Sequence, residues 1–171
     1  MAGGVLEHDW FPAPLPAAVS IGDDSWLYSS FAFIHDQSQR GVVIGQHTGV
    51  YNGTFFDLGP NGSVEVGDYC TIVGAIFSTN RSVVIRDYAF IAHEVLIADD
   101  DFVTPAPSAE RAREPSIVIE ENAWIGARVV LLGGAHIGRD AVVGAGTVVD
   151  GVVADGAVVA GSPYRVIGSA S

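Results

Sequence analysis

The side chains best suited to acid–base chemistry lie in the segment FIAHEVLIADDD. There His93 is followed directly by Glu94, and three consecutive aspartates come after one short apolar stretch. An imidazole can take up and release a proton near neutral pH, and a neighbouring carboxylate can hold its tautomer. We therefore interpret His93 as a general base, with Glu94, Asp99 and Asp101 as candidate catalytic carboxylates and Asp100 as a candidate acceptor contact.

These residues are positioned by a six-residue repeat. Each unit is expected to be a short strand plus a turn that cannot bury its apolar residue alone, so units stack in coils and share backbone hydrogen bonds. The apolar period is six rather than 3.6, which leaves little place for helices. Three units make one coil, and the six coil starts are Ile21, Ile44, Val66, Ile85, Ile119 and Ile137.

Three columns of residues agree across these coils. The fifth position of the first unit is small, and Cys70 falls there, so we interpret this cysteine as packing and not as a nucleophile. The position after the coil start is often glycine, as turns commonly require. The second side begins with an apolar residue throughout. The sequence thus predicts an all-β chain, a single-stranded parallel β-helix of about six coils.

Departures from an eighteen-residue coil all occur at one edge of the predicted prism. The excess residues between the third side and the next coil start are 5, 4, 1, 16 and 0. The largest predicts a long loop over residues 99–116, and long loops on a rigid scaffold are frequent functional sites. We expect three segments: an extended Pro-rich stretch 1–18, the β-helix 19–160, and a short C-terminal tail 161–171.

Within this frame, His93 is the third residue of its unit and is expected to face outward from a turn. It should lie in line with Asn52 below and Ala127 above. Asn52 is a candidate acceptor contact, and so is His35, which begins the first excursion. His47 lies in the turn of another side and is also expected to face solvent. The alternative for His93 is a surface histidine that only bonds to a neighbouring coil.

Composition argues against several functions. The formal net charge of −12 argues against nucleic acid or an anionic membrane as a partner. No run of eighteen apolar residues is present, so no transmembrane span is expected. The first eighteen residues lack a basic start and an apolar core, so we expect no signal peptide. The single cysteine rules out an internal disulfide and is compatible with a cytoplasmic location.

The last third of the chain resembles a known family. The pieces AWIGARVVLLGGAHIG, VVGAGTVV and VVAGSPYRVIG closely resemble the terminal coils of hexapeptide-repeat acyltransferases. These left-handed β-helix enzymes acetylate sugars, amino acids and antibiotics with acetyl-CoA, and weaker repeats extend the likeness to about residue 20. The resemblance implies a left-handed coil and acyl transfer from CoA to a hydroxyl or amine of a small-molecule acceptor.

The resemblance also implies where acetyl-CoA would bind. Its pantetheine arm would lie along the prism, against backbone amides of the last coils, and its nucleotide phosphates would lie nearby. The matching positions are Trp124, Ala127, Ala145 and Thr147 for the arm and Arg165 for the phosphates.

The general base in these enzymes is a histidine, often near the start of the long loop. That loop begins DDDFV here, and no histidine lies between His93 and His136. Some relatives that acetylate amino-sugars use a histidine followed by an acidic residue, which His93–Glu94 resembles.

The resemblance further implies a homotrimer with active sites between neighbouring prisms. A side that carries Val129, Val130 and Leu132 suits burial against a second copy.

Two other functional classes share such a prism. One is a β-helix that kept the fold but lost or changed its chemistry and acts as a binding scaffold or as a non-CoA enzyme in the intersubunit cleft. The other is a γ-type carbonic anhydrase, which binds zinc through three histidines, two of them spaced HxxxxH. No pair of histidines here has that spacing, so the sequence disfavours a zinc hydratase and no metal is expected.

Overall fold

The computed structural model describes residues 6–11, 13–99 and 116–170. Through these residues the chain winds as a solenoid, and each coil passes in turn through three β-sheets. The strands are two to five residues long, because turns interrupt the chain at every corner. In this described part, no helix is long and apolar enough to cross a membrane.

The first sheet holds the strand that opens each coil. Neighbouring strands pair in parallel, as in the register of Val19 with Val42 and of Val42 with Val64. Each of the six predicted coil starts is the last residue of one of its strands. The seven strands are β1 (Val19–Ile21), β3 (Gly41–Ile44), β6 (Ser63–Val66), β9 (Ser82–Ile85), β12 (Ile117–Ile119), β15 (His136–Ile137) and β18 (Val152–Val153).

The second sheet has seven parallel strands and one antiparallel strand. The antiparallel strand, Arg165–Ser169, pairs with the last parallel strand, so the segment after residue 160 continues the sheet. The strands are β2 (Trp26–Leu27), β4 (Gly49–Val50), β7 (Thr71–Ile72), β10 (Phe90–Ile91), β13 (Trp124–Ile125), β16 (Val142–Val143), β19 (Ala157–Ala160) and β20 (Arg165–Ser169).

The third sheet has five parallel strands. In the first coil, a short 3-10 helix, Ser30–Phe33, takes the place of a strand. Segment 100–115, which makes up all of the predicted loop 99–116 except its two end residues, lies outside the described residues. The strands are β5 (Phe55–Leu58), β8 (Ala75–Thr79), β11 (Val95–Ala98), β14 (Val130–Leu132) and β17 (Val148–Val149).

The number of coils differs slightly from the prediction. Five coils cross all three sheets, the first coil has the 3-10 helix on its third side, and a final coil crosses two sheets with β18 and β19. The sequence reasoning missed this final coil because its start, Val153, comes four residues after Val149 and not six. The six-residue period therefore ends one coil before the β-helix does.

The core is a stack of the predicted apolar columns. Ile91 and Ile125 are fully buried, and the rings of Phe33, Phe56 and Phe77 stack with centroids 4.9 Å apart at each step. Full burial of one such side chain contributes about 1.5–3 kcal/mol.

The outer side proposed for a partner copy needs one correction. Val129 is completely buried, whereas Val130 and Leu132 lie on the outside and are partly exposed. Side chains alternate between the two faces of a strand, so Val129 and Leu131 point into the core.

At the corner after the first sheet, the residue three positions after the coil start has a left-handed backbone conformation. Asp24 and His47 are examples, with φ of 56° and 51°. The glycine directly after the coil start has a different role from the turn role expected of it. A Cβ on Gly45 would lie 2.6 Å from the carbonyl carbon of Gly67. Close approach of stacked coils, and not backbone conformation, therefore excludes a side chain there.

Candidate active site

His93 lies in the turn between β10 and β11, at the corner where the second sheet passes to the third. Its side chain is exposed, and its backbone carbonyl accepts a hydrogen bond from the amide of Arg128 in the next coil (2.9 Å). The fully buried Ile91 precedes it by two residues. A rigid corner of the scaffold therefore presents the imidazole to solvent.

The residues directly in line with His93 are small. Gly74 lies in the coil below, and Ala127 and Ala145 lie in the two coils above. Backbone hydrogen bonds join these corners, from Glu94 to Gly74 (2.8 Å) and from Gly146 to Ala127 (2.8 Å). We call this column the His93 edge; its members are Ser29, Asn52, Gly74, His93, Ala127, Ala145 and Gly161.

Glu94 is paired with Arg128 in the coil above. Nε of Arg128 donates a hydrogen bond to the Glu94 carboxylate (2.6 Å), and both residues have φ of 58°. This hydrogen bond and the positive charge of Arg128 lower the pKa of Glu94, with a smaller contribution from nearby His93. The same contact raises the pKa of Arg128. Glu94 is therefore an ionised group beside His93 that is turned toward Arg128.

Asp99 lies at the opposite end of β11 from His93. It is buried, and its carboxylate accepts a hydrogen bond from the hydroxyl of Ser116, the first described residue after 100–115. Six residues of extended chain span roughly 20 Å, so the structure does not bring Asp99 to His93 within one chain. Asp100 and Asp101 lie outside the described residues.

Most of the predicted donor-binding residues lie on the His93 edge or on the second sheet beside it. Trp124 is on the outer face of β13, where it is 54% exposed and packs against Phe90 (ring centroids 4.6 Å apart). Ala127 and Ala145 are members of the edge itself. Arg165 is exposed on β20.

Thr147 differs from these residues because its side chain is completely buried. Its hydroxyl oxygen accepts a hydrogen bond from the amide of Gly161 (3.2 Å), and its carbonyl accepts one from the amide of Val130 (2.9 Å). The Thr147 side chain therefore supports the edge from inside and is not presented to a ligand outside.

The two described residues predicted to contact an acceptor lie at different edges. Asn52 is exposed on the His93 edge, two coils below His93. His35 follows the 3-10 helix, at the corner between the third and first sheets where the excursions leave the prism. The structure therefore brings Asn52, but not His35, into line with the candidate base.

A pocket that the sequence reasoning missed lies at the lower end of the His93 edge. The ring of Trp10 is 5.3 Å from that of Phe31, which is 5.9 Å from that of Phe55. Trp10 precedes the repeat, and no period there predicts what it contacts. The aromatic pocket, as we call it, is lined by Trp10, Phe31, Tyr51, Asn52 and Phe55, together with Ser29, Gly53 and neighbouring residues.

Asp9 holds the N-terminal segment against the first coil. Its carboxylate accepts hydrogen bonds from the Ser29 hydroxyl (2.6 Å) and from the amides of Ser30 (2.7 Å) and Phe11 (2.9 Å). Burial alone would raise the pKa of Asp9, but these hydrogen bonds outweigh it and lower the pKa to about 2. Because Ser29 lines the aromatic pocket, an ionised carboxylate lies directly behind the pocket wall.

Among residues 6–11, 13–99 and 116–170, no group of three or more His, Cys, Asp or Glu side chains is placed to hold a metal ion. The candidate site thus consists of the exposed imidazole of His93, the aromatic pocket below it, and a small-residue track above it, which is formed by Ala127, Ala145 and Gly161.

Comparison with known sequences gives partial matches. Residues 116–151 match the family model described as bacterial transferase hexapeptide (six repeats). The chain is 32% identical over 116 residues to the Escherichia coli K12 protein named "Putative lipopolysaccharide biosynthesis O-acetyl transferase WbbJ", covering 61% of this chain and 57% of that protein. It is 47% identical over 55 residues to the 2,3,4,5-tetrahydropyridine-2,6-dicarboxylate N-acetyltransferase of Staphylococcus aureus strain Newman, covering 32% of this chain and 23% of that protein.

Comparison with solved structures agrees on the fold. A hexapeptide transferase family protein from Anaplasma phagocytophilum has a TM-score of 0.67 at 18% identity, covering 90% of this chain and 80% of its own. A galactoside acetyltransferase in complex with coenzyme A has a TM-score of 0.53 at 24% identity, with coverages of 90% and 66%. The resemblance to hexapeptide-repeat acyltransferases is confirmed, and the fold is a left-handed β-helix. The chain spans little more than half of the first of its curated relatives.

Proposed function

Because sequence and fold both resemble those of hexapeptide-repeat acyltransferases, we propose that this chain transfers an acyl group, in the first place acetyl, from a CoA thioester to a hydroxyl or amine of a small-molecule acceptor. One observation carries the proposal: the exposed imidazole of His93 stands on an edge whose neighbouring residues, Gly74 and Ala127, have little or no side chain. Two relatives matched in sequence are named as acetyltransferases.

His93 acts as the general base in this reaction. Its imidazole takes the proton from the acceptor hydroxyl or amine as that atom attacks the thioester carbonyl. The new C–O or C–N bond forms, the C–S bond breaks, and the imidazolium returns the proton to the leaving sulfur. A positioned base of this kind contributes about 10²–10⁴-fold to the rate.

The small-residue track fits the acyl donor. When bound, acetyl-CoA supplies the activated acyl group as a thioester. Ala127, Ala145 and Gly161 present little side-chain bulk above His93, so an extended arm can lie against the edge. Trp124 offers an exposed ring beside the edge, and Arg165 offers a cation for phosphate on β20, the last strand of the same sheet.

The carboxylates have separate roles in this proposal. Glu94 forms an exposed ion pair with Arg128 of the next coil, beside the turn that carries His93. Asp99 anchors the start of the long segment through Ser116. For Asp100 as an acceptor contact and Asp101 as a catalytic carboxylate, the support is the sequence pattern alone.

A homotrimer is part of the proposal, because it would close each cleft with a second copy. Its support is apolar surface on the prism sides, where Val43 is 48%, Ile76 43% and Val152 70% exposed. Light scattering of the dilute protein should give three times the chain mass; a stable monomer would contradict shared active sites.

A cytoplasmic location is also part of the proposal, because it would provide the CoA thioester and keep Cys70 reduced.

Binding of the donor is the primary test. Millimolar CoA should raise the melting temperature by mass action and give heat in calorimetry. Release of free thiol from acetyl-CoA, followed with a disulfide reagent over a panel of hydroxyl and amine acceptors, then measures turnover. The background should be low, because the only cysteine, Cys70, is buried.

The alternative is a β-helix that serves as a scaffold or runs a different reaction. Absence of both heat and thermal shift with CoA would favour it. Acyl transfer to any acceptor of the panel would exclude it.

A further inference from the structure

Resting on the proposed acyltransferase function, we propose that the aromatic pocket is an acceptor subsite that binds an uncharged sugar ring remote from the group that is acylated. The acceptor would then be a neutral glycoside longer than a single sugar ring. Three independent observations support this assignment: the exposed faces of the rings, the spacing between the pocket and His93, and the charge behind the pocket wall.

The pocket presents flat apolar faces beside a polar rim. Trp10 is 61% exposed and Tyr51 44% exposed, although large aromatic side chains are usually more buried. The Tyr51 ring is seated over Gly49, where a Cβ would lie 2.6 Å from one of its ring carbons. The Tyr51 part of the wall is thus positioned before any ligand binds, and pre-formed pockets favour rigid ring ligands.

Asn52 indicates which kind of ring fits best. Its exposed amide lies on the rim of the same pocket and provides both a donor and an acceptor. A sugar ring places C–H groups on its face, against the aromatic rings, and hydroxyl groups at its edge, against the amide. A purely aromatic ligand would use the rings but not the amide.

The distance to His93 sets the length of the acceptor. Asn52 lies two coils below His93, which corresponds to about 10 Å. The corner between them is Gly74, and the facing Gly53 also lacks a side chain. The surface between the pocket and His93 is therefore free of side chains at Gly53 and Gly74. A ligand that spans it needs a second ring or a substituent of that length.

Charge disfavours a phosphorylated acceptor. The Asp9 carboxylate is bonded to Ser29 in the pocket wall, and its lowered pKa keeps it ionised at neutral pH. A sugar phosphate in the pocket would meet a like charge with no compensating arginine among the pocket-lining residues.

Calorimetry without any acyl donor tests the subsite independently of the reaction. The probes are methyl glycosides of gluco-, galacto- and manno-configured disaccharides, the matching monosaccharides, one disaccharide phosphate, and a biaryl alcohol of similar length. At least one disaccharide glycoside should bind, at least tenfold more tightly than its monosaccharide and than the phosphate. Preferred binding of the biaryl alcohol, or of no sugar at all, would overturn the proposal.

Variants locate the binding. Trp10→Ala and Asn52→Ala should each weaken disaccharide binding at least tenfold. Tyr88→Ala is the matched control, because Tyr88 is 53% exposed but stacks on Tyr69 at a different edge. Unchanged binding in both pocket variants would overturn the subsite. Disaccharide binding without acyl transfer would contradict only the proposed function, whereas acyl transfer with a KM indifferent to Trp10→Ala would contradict only the subsite.

Discussion

Arg128 and Glu94 form an ion pair between successive coils, with Nε of Arg128 2.6 Å from the Glu94 carboxylate. The sequence pairs Glu94 with its neighbour His93, but the structure directs the carboxylate to the coil above. Both residues have left-handed backbone conformation, so equivalent corners stack and their side chains leave in the same direction.

This pairing predicts that Glu94 contributes less to turnover than His93. Glu94→Gln should keep a kcat/KM at least about tenfold higher than that of His93→Ala, because the carboxylate contacts Arg128 and not the imidazole. Arg128→Gln is the matched variant, and the double variant should be no worse than the worse single one. Melting temperatures should barely change, since the pair is exposed. A loss in Glu94→Gln equal to that in His93→Ala would show that Glu94 turns to the imidazole during the reaction.

The base itself is tested by His93→Ala, which should lower turnover by about 10²–10⁴-fold. The oligomeric state and the melting point should stay nearly unchanged, because the side chain is exposed. His47→Ala is the control: His47 is at another edge, stacked on Tyr69 with centroids 4.8 Å apart, and should be close to wild type. Loss of activity in His47→Ala but not in His93→Ala would show that the active site is at the His47 edge. Full activity in both variants would show that neither histidine is the base.

The repeat made most of the fold predictable. A six-residue period fixes which side chains point inward, so residues such as Ile91 and Ile125 could be assigned to the core from sequence alone. The period also places His93 outward. It fails where the spacing changes, as before Val153, and where there is no repeat, as around Trp10.

The site was less predictable, because its contacts join different coils. His93 and Asp99 are close in sequence, but β11 runs straight between them and puts them at different edges. The contact of Glu94 with Arg128 joins residues 34 positions apart. The inward position of the Thr147 side chain follows from the period.

We predict that the hydrogen bond between Asp99 and Ser116 holds these two positions of the chain together and stabilises the fold. Ser116→Ala removes the hydroxyl that donates to the buried Asp99 carboxylate and should destabilise the fold by about 1–3 kcal/mol in chemical denaturation. Ser162→Ala is a control at an exposed serine and should be neutral. If Ser116→Ala left stability unchanged, the contact would not hold the ends of the long segment.

The stacked phenylalanines predict a strong dependence of stability on core shape. Phe77→Ala should lower the free energy of unfolding by about 3–5 kcal/mol, because it opens a cavity between Phe56 and the coil above. Phe77→Leu keeps most of the volume and should lose less. Equal losses in the two variants would mean that the ring stack, and not the filled volume, provides the stabilisation.

Asp9 predicts a local pH dependence at the N-terminal segment. Its folded-state pKa of about 2 lies below its ordinary value of 3.8, because hydrogen bonds from Ser29, Ser30 and Phe11 favour the carboxylate. A group with a depressed pKa stabilises the fold above its unfolded-state pKa, and that contribution disappears as the pH falls through the folded-state value. The anchoring of the segment should therefore be complete at pH 5 and above and be lost progressively between about pH 4 and pH 2.

Fluorescence of Trp10, the residue next to Asp9, reports this transition. The difference spectrum between the wild type and Trp10→Phe isolates the Trp10 signal from Trp26 and Trp124. We expect that signal to shift toward that of a solvated indole between pH 4 and pH 2. In Asp9→Asn the pH-dependent shift should be absent, because the amide does not titrate. A shift of the same size in Asp9→Asn would assign the transition to other carboxylates and would remove Asp9 as the group that holds the wall of the aromatic pocket.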